Sequence, residues 1–280
     1  MTKSENNIRA LIAVPAYNEE QRIPRMLGLL QPWKKDVLII DDGSCDATPS
    51  LVREAGYSCI RHSANVGLSG FFETAVTYAI EQGFTHLITL DADGQHDPRY
   101  IPEFIAALRH YELVSGERFH DLSNIPESKI ASNLFAVLLF QKFLNISFPD
   151  VACGFRAMNI NILKEYQGLP RFGIIYDMLA HHAKTGKQTG FIKIPAIYFP
   201  DETMNTNSGE IIGLLSTIQK YSSAPELTLL TEAVKNKTGF TIALSGLSFE
   251  AIFQQPEHYR FCTDVNPAKQ LFTKIHNGYG

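Results

Sequence analysis

HLITLDADGQHDP, His86 to Pro98, runs a short strand-like segment straight into a turn holding three carboxylates, a glutamine and a histidine. A buried strand that ends in so much negative charge needs a reason. Asp91 and Asp93 repel each other and resist desolvation, so a positive partner is expected close by. The candidates are a basic side chain, a metal ion, or plain water around an exposed turn.

Working outward, similar strands recur with helix-like segments between them. IRALIAV (8–14), DVLIID (36–41) and YSCIRH (57–62) read as further strands, and helices are predicted near 19–30, 48–55, 70–82 and 102–110. In the helix over 70–82, Phe71, Ala75, Tyr78 and Ala79 share one face. Strands of four to seven residues alternating with helices imply βαβ units and a mostly parallel sheet. Runs such as VLII and LITL are apolar almost throughout, as in strands buried on both faces. The fold class expected is an open, Rossmann-like, doubly wound α/β sheet flanked by helices.

Past Glu117 the pattern is less regular. ELVSG reads as a strand, 129–144, 174–183 and 211–221 as helices, and FIKIPAIYF (191–199) as an alternating strand. Residues 1–225 are read as one catalytic domain and 226–280 as an appendage without an assigned role.

Composition excludes several classes. The chain has 280 residues, 45% hydrophobic and 19% charged, which is ordinary for a folded protein. A formal net charge of −4 gives no reason to expect nucleic acid. Cys45, Cys59, Cys153 and Cys262 are scattered without a C-x-x-C pair, as reduced cytosolic thiols are. MTKSENNIR lacks the apolar core of a secretory signal, and LFAVLLF (134–140) falls far short of the roughly 20 residues that span a bilayer. A cytoplasmic protein is expected.

Three polar clusters follow three predicted strands: PAYNEE (15–20), DDGSCDAT (41–48) and DADGQHDP (91–98). Open parallel sheets bind ligands beyond the carboxyl ends of their strands, where strand order reverses. Taken singly, each cluster also reads as a turn or a helix cap. Their convergence on one edge is the stronger signal. A dinucleotide fingerprint is absent from the first turn, no G-K-[ST] phosphate loop occurs, and a calcium loop starting at Asp91 has its glycine too early.

P-A-Y-N-E-E, V-L-I-I-D-D-G-S-x-D-x-T, N-V-G and L-D-A-D-G-Q-H-D-P together resemble the family 2 glycosyltransferases of GT-A fold. The likeness is strongest to the branch of dolichyl- and polyprenyl-phosphate mannosyl- and glucosyltransferases. V-S-G-E-R-F (114–119) and D-V-A-C-G-F-R-A-M (150–158) resemble later segments of that branch, and the likeness extends over about 8–221.

The resemblance implies a nucleoside diphosphate sugar, GDP- or UDP-linked, as donor, and Mg²⁺ or Mn²⁺ as the missing positive partner. It implies Asp91, Asp93 and Gln95 as metal ligands around Ala92, a set of hard oxygen donors suited to such an ion. Pro15, Tyr17 and Glu19 would line base and ribose, Ile40 would add backbone contact, and Asp42 would accept a hydrogen bond from the base. His96 is read as structural, and Asp97-Pro98 as the opening of a helix. Arg118 suits phosphate, with a salt bridge as the other reading, and Arg156 is a second cation candidate.

A polyprenyl phosphate acceptor would need no general base; a hydroxyl acceptor would, and Asp177 is then the candidate, with a helix-surface acid as its other reading. The branch's basic residues after the late strand are missing here: FPDETMNTNSGE carries Asp201 and Glu202, with no base before Lys220. That departure keeps open a soluble or cell-envelope glycan acceptor, a non-catalytic nucleotide-sugar-binding protein, and a nucleotidyltransferase, although PAYNEE is not the glycine-rich loop the last would want. The apolar stripe of 129–144 (Ile130, Leu134, Phe135, Val137, Leu138) reads either as core or as a surface contact with the inner face of a membrane.

Overall fold

A computed structural model describes residues 8–165, 173–199, 208–225 and 227–228. Apart from 227 and 228, the appendage expected over 226–280 lies outside the described residues. Leu227 is buried in the core, so packing against the domain continues past Pro225.

Seven strands form one sheet: β1 (Ala10–Ala16), β2 (Val37–Asp41), β3 (Ser58–Arg61), β4 (His86–Thr89), β5 (Leu113–Glu117), β6 (Arg156–Asn159) and β7 (Thr189–Lys193). The helices are α1 (Ile23–Leu30), α2 (Thr48–Glu54), α3 (Gly67–Glu81), α4 (Ile101–Ala107), α5 (Glu127–Leu139), α6 (Ile160–Glu165), α7 (Gly173–Lys184) and α8 (Ser208–Tyr221).

The strand order is β3-β2-β1-β4-β6-β5-β7. Strand β1 pairs in parallel with both β2 and β4, so the order reverses there. Strand β6 runs antiparallel to β4 and β5, while β5 and β7 are parallel. The start of β6 therefore shares an edge with the ends of the other strands, and Arg156 stands opposite Thr89 and Ser115.

Period-two alternation sends each strand into two cores. Leu11, Ala13, Leu38, Ile40, Leu87 and Leu113 face Phe71 and Ala75 of α3, together with α5, α7 and α8. Ile12, Val14, Val37, Ile39, Ile88 and Val114 face Met26 of α1, Val52 of α2 and Phe104 of α4. Each such Leu or Ile stabilises the fold by about 1.5–3 kcal/mol through burial.

Several expected boundaries move, for identifiable reasons. Helix α1 starts at Ile23, because the Glu19 carbonyl accepts the Arg22 and Ile23 N–H groups in a tight turn after Asn18, whose φ is 57°. The strand expected over 191–199 stops at Lys193; Pro195 cannot donate to a ladder. Strand β6 was not foreseen, since four residues are too few to show a period.

The helix expected over 129–144 is α5 followed by a π-helical turn, Phe140–Leu144, which Asn145 ends with a φ of 55°. Leu134, Phe135 and Leu138 are buried, and Phe135 belongs to the core. This corrects the membrane reading of that stripe. A face already packed inside the protein cannot also lie on lipid. Among the described residues, no helix is long and apolar enough to cross a membrane.

Candidate active site

The first two loops are laced together. Asn18 N–H donates to Ser44 Oγ at 2.9 Å, Glu19 N–H to Thr48 Oγ1 at 2.8 Å, and Glu20 N–H to Asp46 at 3.1 Å. In return Cys45 N–H donates to Asn18 Oδ1 at 2.9 Å and Ala47 N–H to Glu20 Oε2 at 3.0 Å. Gly43 permits the turn: its φ is +80°, and a Cβ there would stand 2.9 Å from the Ala64 carbonyl carbon. Pro15 is half-buried at the end of β1, and Tyr17 beyond it is exposed.

Asp41 is buried, accepting from Ser44 N–H at 3.0 Å and lying 3.0 Å from Arg61 Nε. Asp42 accepts from His62 Nδ1 at 2.8 Å, Val66 N–H at 3.0 Å and Gly67 N–H at 2.8 Å. Ile40 does not face the site. Its side chain is fully buried in the core, in a strand paired on both sides, so only its backbone is left for the contact expected of it.

Asp91 and Asp93 leave the end of β4 with Ala92 between them. The Ala92 methyl is buried in the core, which leaves its backbone between the two carboxylates. Asp93 Oδ1 accepts the Gln95 N–H at 2.9 Å, closing the turn. Desolvation raises the Asp91 carboxyl above its ordinary range, against the pull of Arg118 and Arg156. Burial, and then repulsion from Asp93, pushes Glu19 up to about 7, with Asp91 adding to the rise and Arg22 opposing it. Three carboxylates thus feel one another across two loops.

His96 is neutral. Its Nδ1 accepts the Asp91 N–H at 3.1 Å, so its 3.4 Å approach to Asp91 Oδ2 is not an ion pair. Burial lowers its pKa to about 4. His96 Nε2 lies 3.8 Å from Cys153 Sγ, a thiol that burial pushes up to about 11. Asp97 caps the next turn through Arg99 N–H at 3.0 Å, as expected of Asp97-Pro98.

The later segments arrive from β5 and β6. Arg118 grips the fully buried Asp150 with Nε at 2.8 Å and Nη2 at 3.0 Å, and that pairing raises its pKa further against desolvation. Asp150, not singled out from the sequence beyond heading D-V-A-C-G-F-R-A-M, also accepts the Ala152 N–H at 3.0 Å. Two of the five N–H donors of the Arg118 guanidinium are engaged by Asp150.

Two other expected site residues are redirected. Arg156 is fully buried and donates to the carbonyls of Cys153, Val151 and Ile175. It works as a staple between β6 and α7, and reaches Asp91 through its field alone. Asp177 is buried against Lys220 Nζ at 2.8 Å, in the α7–α8 interface. It is neither a helix-surface acid nor placed as a base.

Beyond β7, Phe199 lies against the acidic loop after β4: a Cβ on Gly94 would stand 3.5 Å from its ring. The Arg22 and Arg25 guanidinium carbons lie 5.7 and 5.4 Å from the same ring.

The donor set fits a hard divalent cation. It consists of oxygens, and it carries repulsion that a cation relieves. Among the described residues, no three or more His, Cys, Asp and Glu side chains gather around one point. Two carboxylates completed by substrate phosphate are how Mg²⁺-type ions are usually held.

Paired carboxylates and the Arg118–Asp150 pair thus stand at the sheet edge where strand order reverses. Residues 11–167, more than half the chain, match the family described as Glycosyl transferase family 2, and the chain belongs to that family and is a glycosyltransferase. It is 27% identical over 224 residues to undecaprenyl-phosphate mannosyltransferase of Micrococcus luteus, covering 74% of this chain and 90% of the relative. It is 29% identical to the UDP-N-acetylglucosamine–dolichyl-phosphate N-acetylglucosaminyltransferase of Methanococcus voltae, over 67% of this chain and 85% of that one. These relatives come from the branch that the motifs resemble. Glucosyl-3-phosphoglycerate synthase from Mycobacterium tuberculosis, in a structure with Mn²⁺, UDP and glucosyl-3-phosphoglycerate, has the same fold. Its TM-score is 0.60 at 15% identity, over 76% of this chain and 81% of that one.

Proposed function

We propose that this glycosyltransferase moves one sugar, with inversion, from a nucleoside diphosphate donor to a polyprenyl phosphate, using Mg²⁺ or Mn²⁺. The observation that carries this reading is the convergence of Glu19, Asp91, Asp93 and the Arg118–Asp150 pair on one sheet edge, at the reversal of strand order.

Asp91 and Asp93, with Gln95 beside them, would hold the cation. When bound, it supplies Lewis-acid relief of the charge that builds on the departing diphosphate. Arg118, oriented by Asp150, offers its remaining N–H groups to phosphate oxygens. Tyr17 and Asp42 would flank the nucleotide end, on loops already fixed by their mutual hydrogen bonds. Inversion follows from in-line attack on the anomeric carbon opposite the leaving group, through an oxocarbenium-like state.

The acceptor assignment rests on two supports. Relatives in this family are named for undecaprenyl and dolichyl phosphates. Asp177, the base a hydroxyl acceptor would have used, is spent on Lys220, whereas a phosphate is already anionic. A lipid acceptor places the enzyme at the inner face of the membrane, in the cytoplasm, without α5 as the contact.

The test is transfer from GDP- and UDP-sugars to a short-chain polyprenyl phosphate, with Mn²⁺ or with EDTA, and with Asp93→Asn. Lipid-linked product that needs the metal and fails in the variant supports the reading; NMR of its anomeric centre reports inversion. Product in EDTA, or transfer to free glycans alone, overturns the metal or the acceptor assignment respectively.

A further inference from the structure

His96 is fully buried, and both of its ring nitrogens are engaged. Strand β4 pairs with β1 and β6 only as far as Thr89, so the Asp91 N–H has left the ladder. A side chain supplies what the ladder no longer does: His96 Nδ1 accepts that N–H at 3.1 Å. The tautomer follows. With Nδ1 accepting, the ring proton sits on Nε2 and is directed at Cys153 Sγ, 3.8 Å away. The thiol in turn lies 3.8 Å from the Phe155 carbonyl, to which it donates. Donor follows acceptor in one direction from the Asp91 amide to Phe155.

Three consecutive residues brace the ring. Next to Cys153, Gly154 passes so close that a Cβ there would stand 3.2 Å from His96 Cε1. The Phe155 ring lies 5.8 Å from the imidazole and is itself stacked on Phe104 at 4.1 Å. Thr89 Oγ1 donates to the Gly154 carbonyl at 2.8 Å, which pins this turn to the last residue of β4. The same loop carries Asp150, the partner of Arg118.

Resting on the cation reading above, we infer that His96 is a positioning residue for Asp91. By accepting the Asp91 N–H it fixes where that carboxylate leaves the strand, and the turn from Cys153 to Phe155 holds the imidazole in place. The hold is on the backbone, so the Asp91 oxygens stay available to the ion, on a side chain that is 43% exposed. With both nitrogens engaged, His96 is not itself a ligand. Partners that orient a ligand without touching the metal change its affinity roughly ten- to a hundredfold when they are removed.

The test compares His96→Asn with His96→Leu in the full-length protein, beside wild type and Asp93→Asn. Asparagine and leucine have nearly the same size and shape, and only asparagine presents an oxygen where Nδ1 stood. Mn²⁺ is the probe, titrated alone and then with UDP or GDP, and the EPR signal of the free ion reports how much is bound. Both histidine variants should melt at a lower temperature, because each leaves part of the ring's space empty. His96→Leu is expected to bind Mn²⁺ roughly ten- to a hundredfold more weakly than wild type, and His96→Asn within about threefold of it. Should His96→Leu not fold, His96→Phe, which keeps the ring's volume without its nitrogens, takes its place. Wild-type affinity in the variant without the acceptor overturns the inference and leaves the cation reading standing. So does an equal loss in both variants, the mark of a residue that only fills the core. Mn²⁺ that fails to bind wild type, or binds Asp93→Asn as tightly, overturns the cation reading and the inference together.

Discussion

Gly154 backs onto the carboxylate of Asp91: a Cβ added there would stand 2.7 Å from Oδ2 and 3.1 Å from Oδ1. The loop before β6 thereby sets how far the Asp91 carboxylate can retreat from the sheet edge. Gly154→Ala is expected to displace the carboxylate and raise the Mn²⁺ concentration for half-maximal transfer about tenfold or more. Its melting temperature should change little, since the Asp91 side chain is 43% exposed and has room to move. A metal titration of activity, read beside a thermal melt, checks both halves.

Asp150 should be needed for the fold as well as for Arg118. Asp150→Ala leaves a buried guanidinium uncompensated and is expected to cost about 3–5 kcal/mol. Asp150→Asn keeps the shape and loses the charge, at about 1–3 kcal/mol. Urea unfolding of the two variants gives the order. Transfer by Asp150→Asn at low temperature should fall in kcat more than in donor KM, if Arg118 acts on charge that develops during the reaction.

Asp177 and Lys220 should matter for stability alone. Lys220→Met removes the cation beside a fully buried carboxylate, and a loss of roughly 3 kcal/mol is expected. Asp177→Asn should keep at least half of the transfer rate under conditions where it remains folded. A rate loss of a hundredfold or more in folded Asp177→Asn would restore the residue as a base.

Acid should unfold the protein earlier than its surface charge suggests. Burial lowers the pKa of His86, His96 and His182, with His96 reaching about 4 from 6.5. The unfolded chain binds those protons more readily, so stability rises with pH across that window. The contribution is complete above about pH 6.5 and is lost as pH falls toward 4, by roughly 3 kcal/mol for His96 alone. Glu19 works in the opposite sense: with its pKa raised to about 7, it favours the fold at low pH and loses that as pH rises through 7. Unfolding free energies at pH 7 and 4.5, for wild type and His96→Gln, test the histidine effect; the variant should show the flatter dependence.

Local sequence was enough for the first half of the fold. From β1 to β4, strands and helices are short, strongly apolar and separated by turn chemistry, so period and punctuation agree. The carboxylates of DADGQ and the acids of PAYNEE were legible for the same reason, being polar residues where a buried strand stops. Beyond β5 the periods are shorter than the elements are deep. Four residues of β6 cannot announce an antiparallel strand, and Pro195 ends β7 where alternation continues.

Charge was the part that sequence could not assign. Asp91 stands in a run without a base, yet Arg118 and Arg156, remote along the chain, act on it across the sheet edge. Of the cations and acids nominated, Arg118 is bound to Asp150, Arg156 to three carbonyls, and Asp177 to Lys220. Residue type and spacing determined the strands, the switch-point edge and the acidic turn, because hydrophobic period and turn preference act between near neighbours. Which charges meet, and which are left for a ligand, was decided by the tertiary structure, because Coulomb interaction depends on distance in space, and the sheet alone sets that distance.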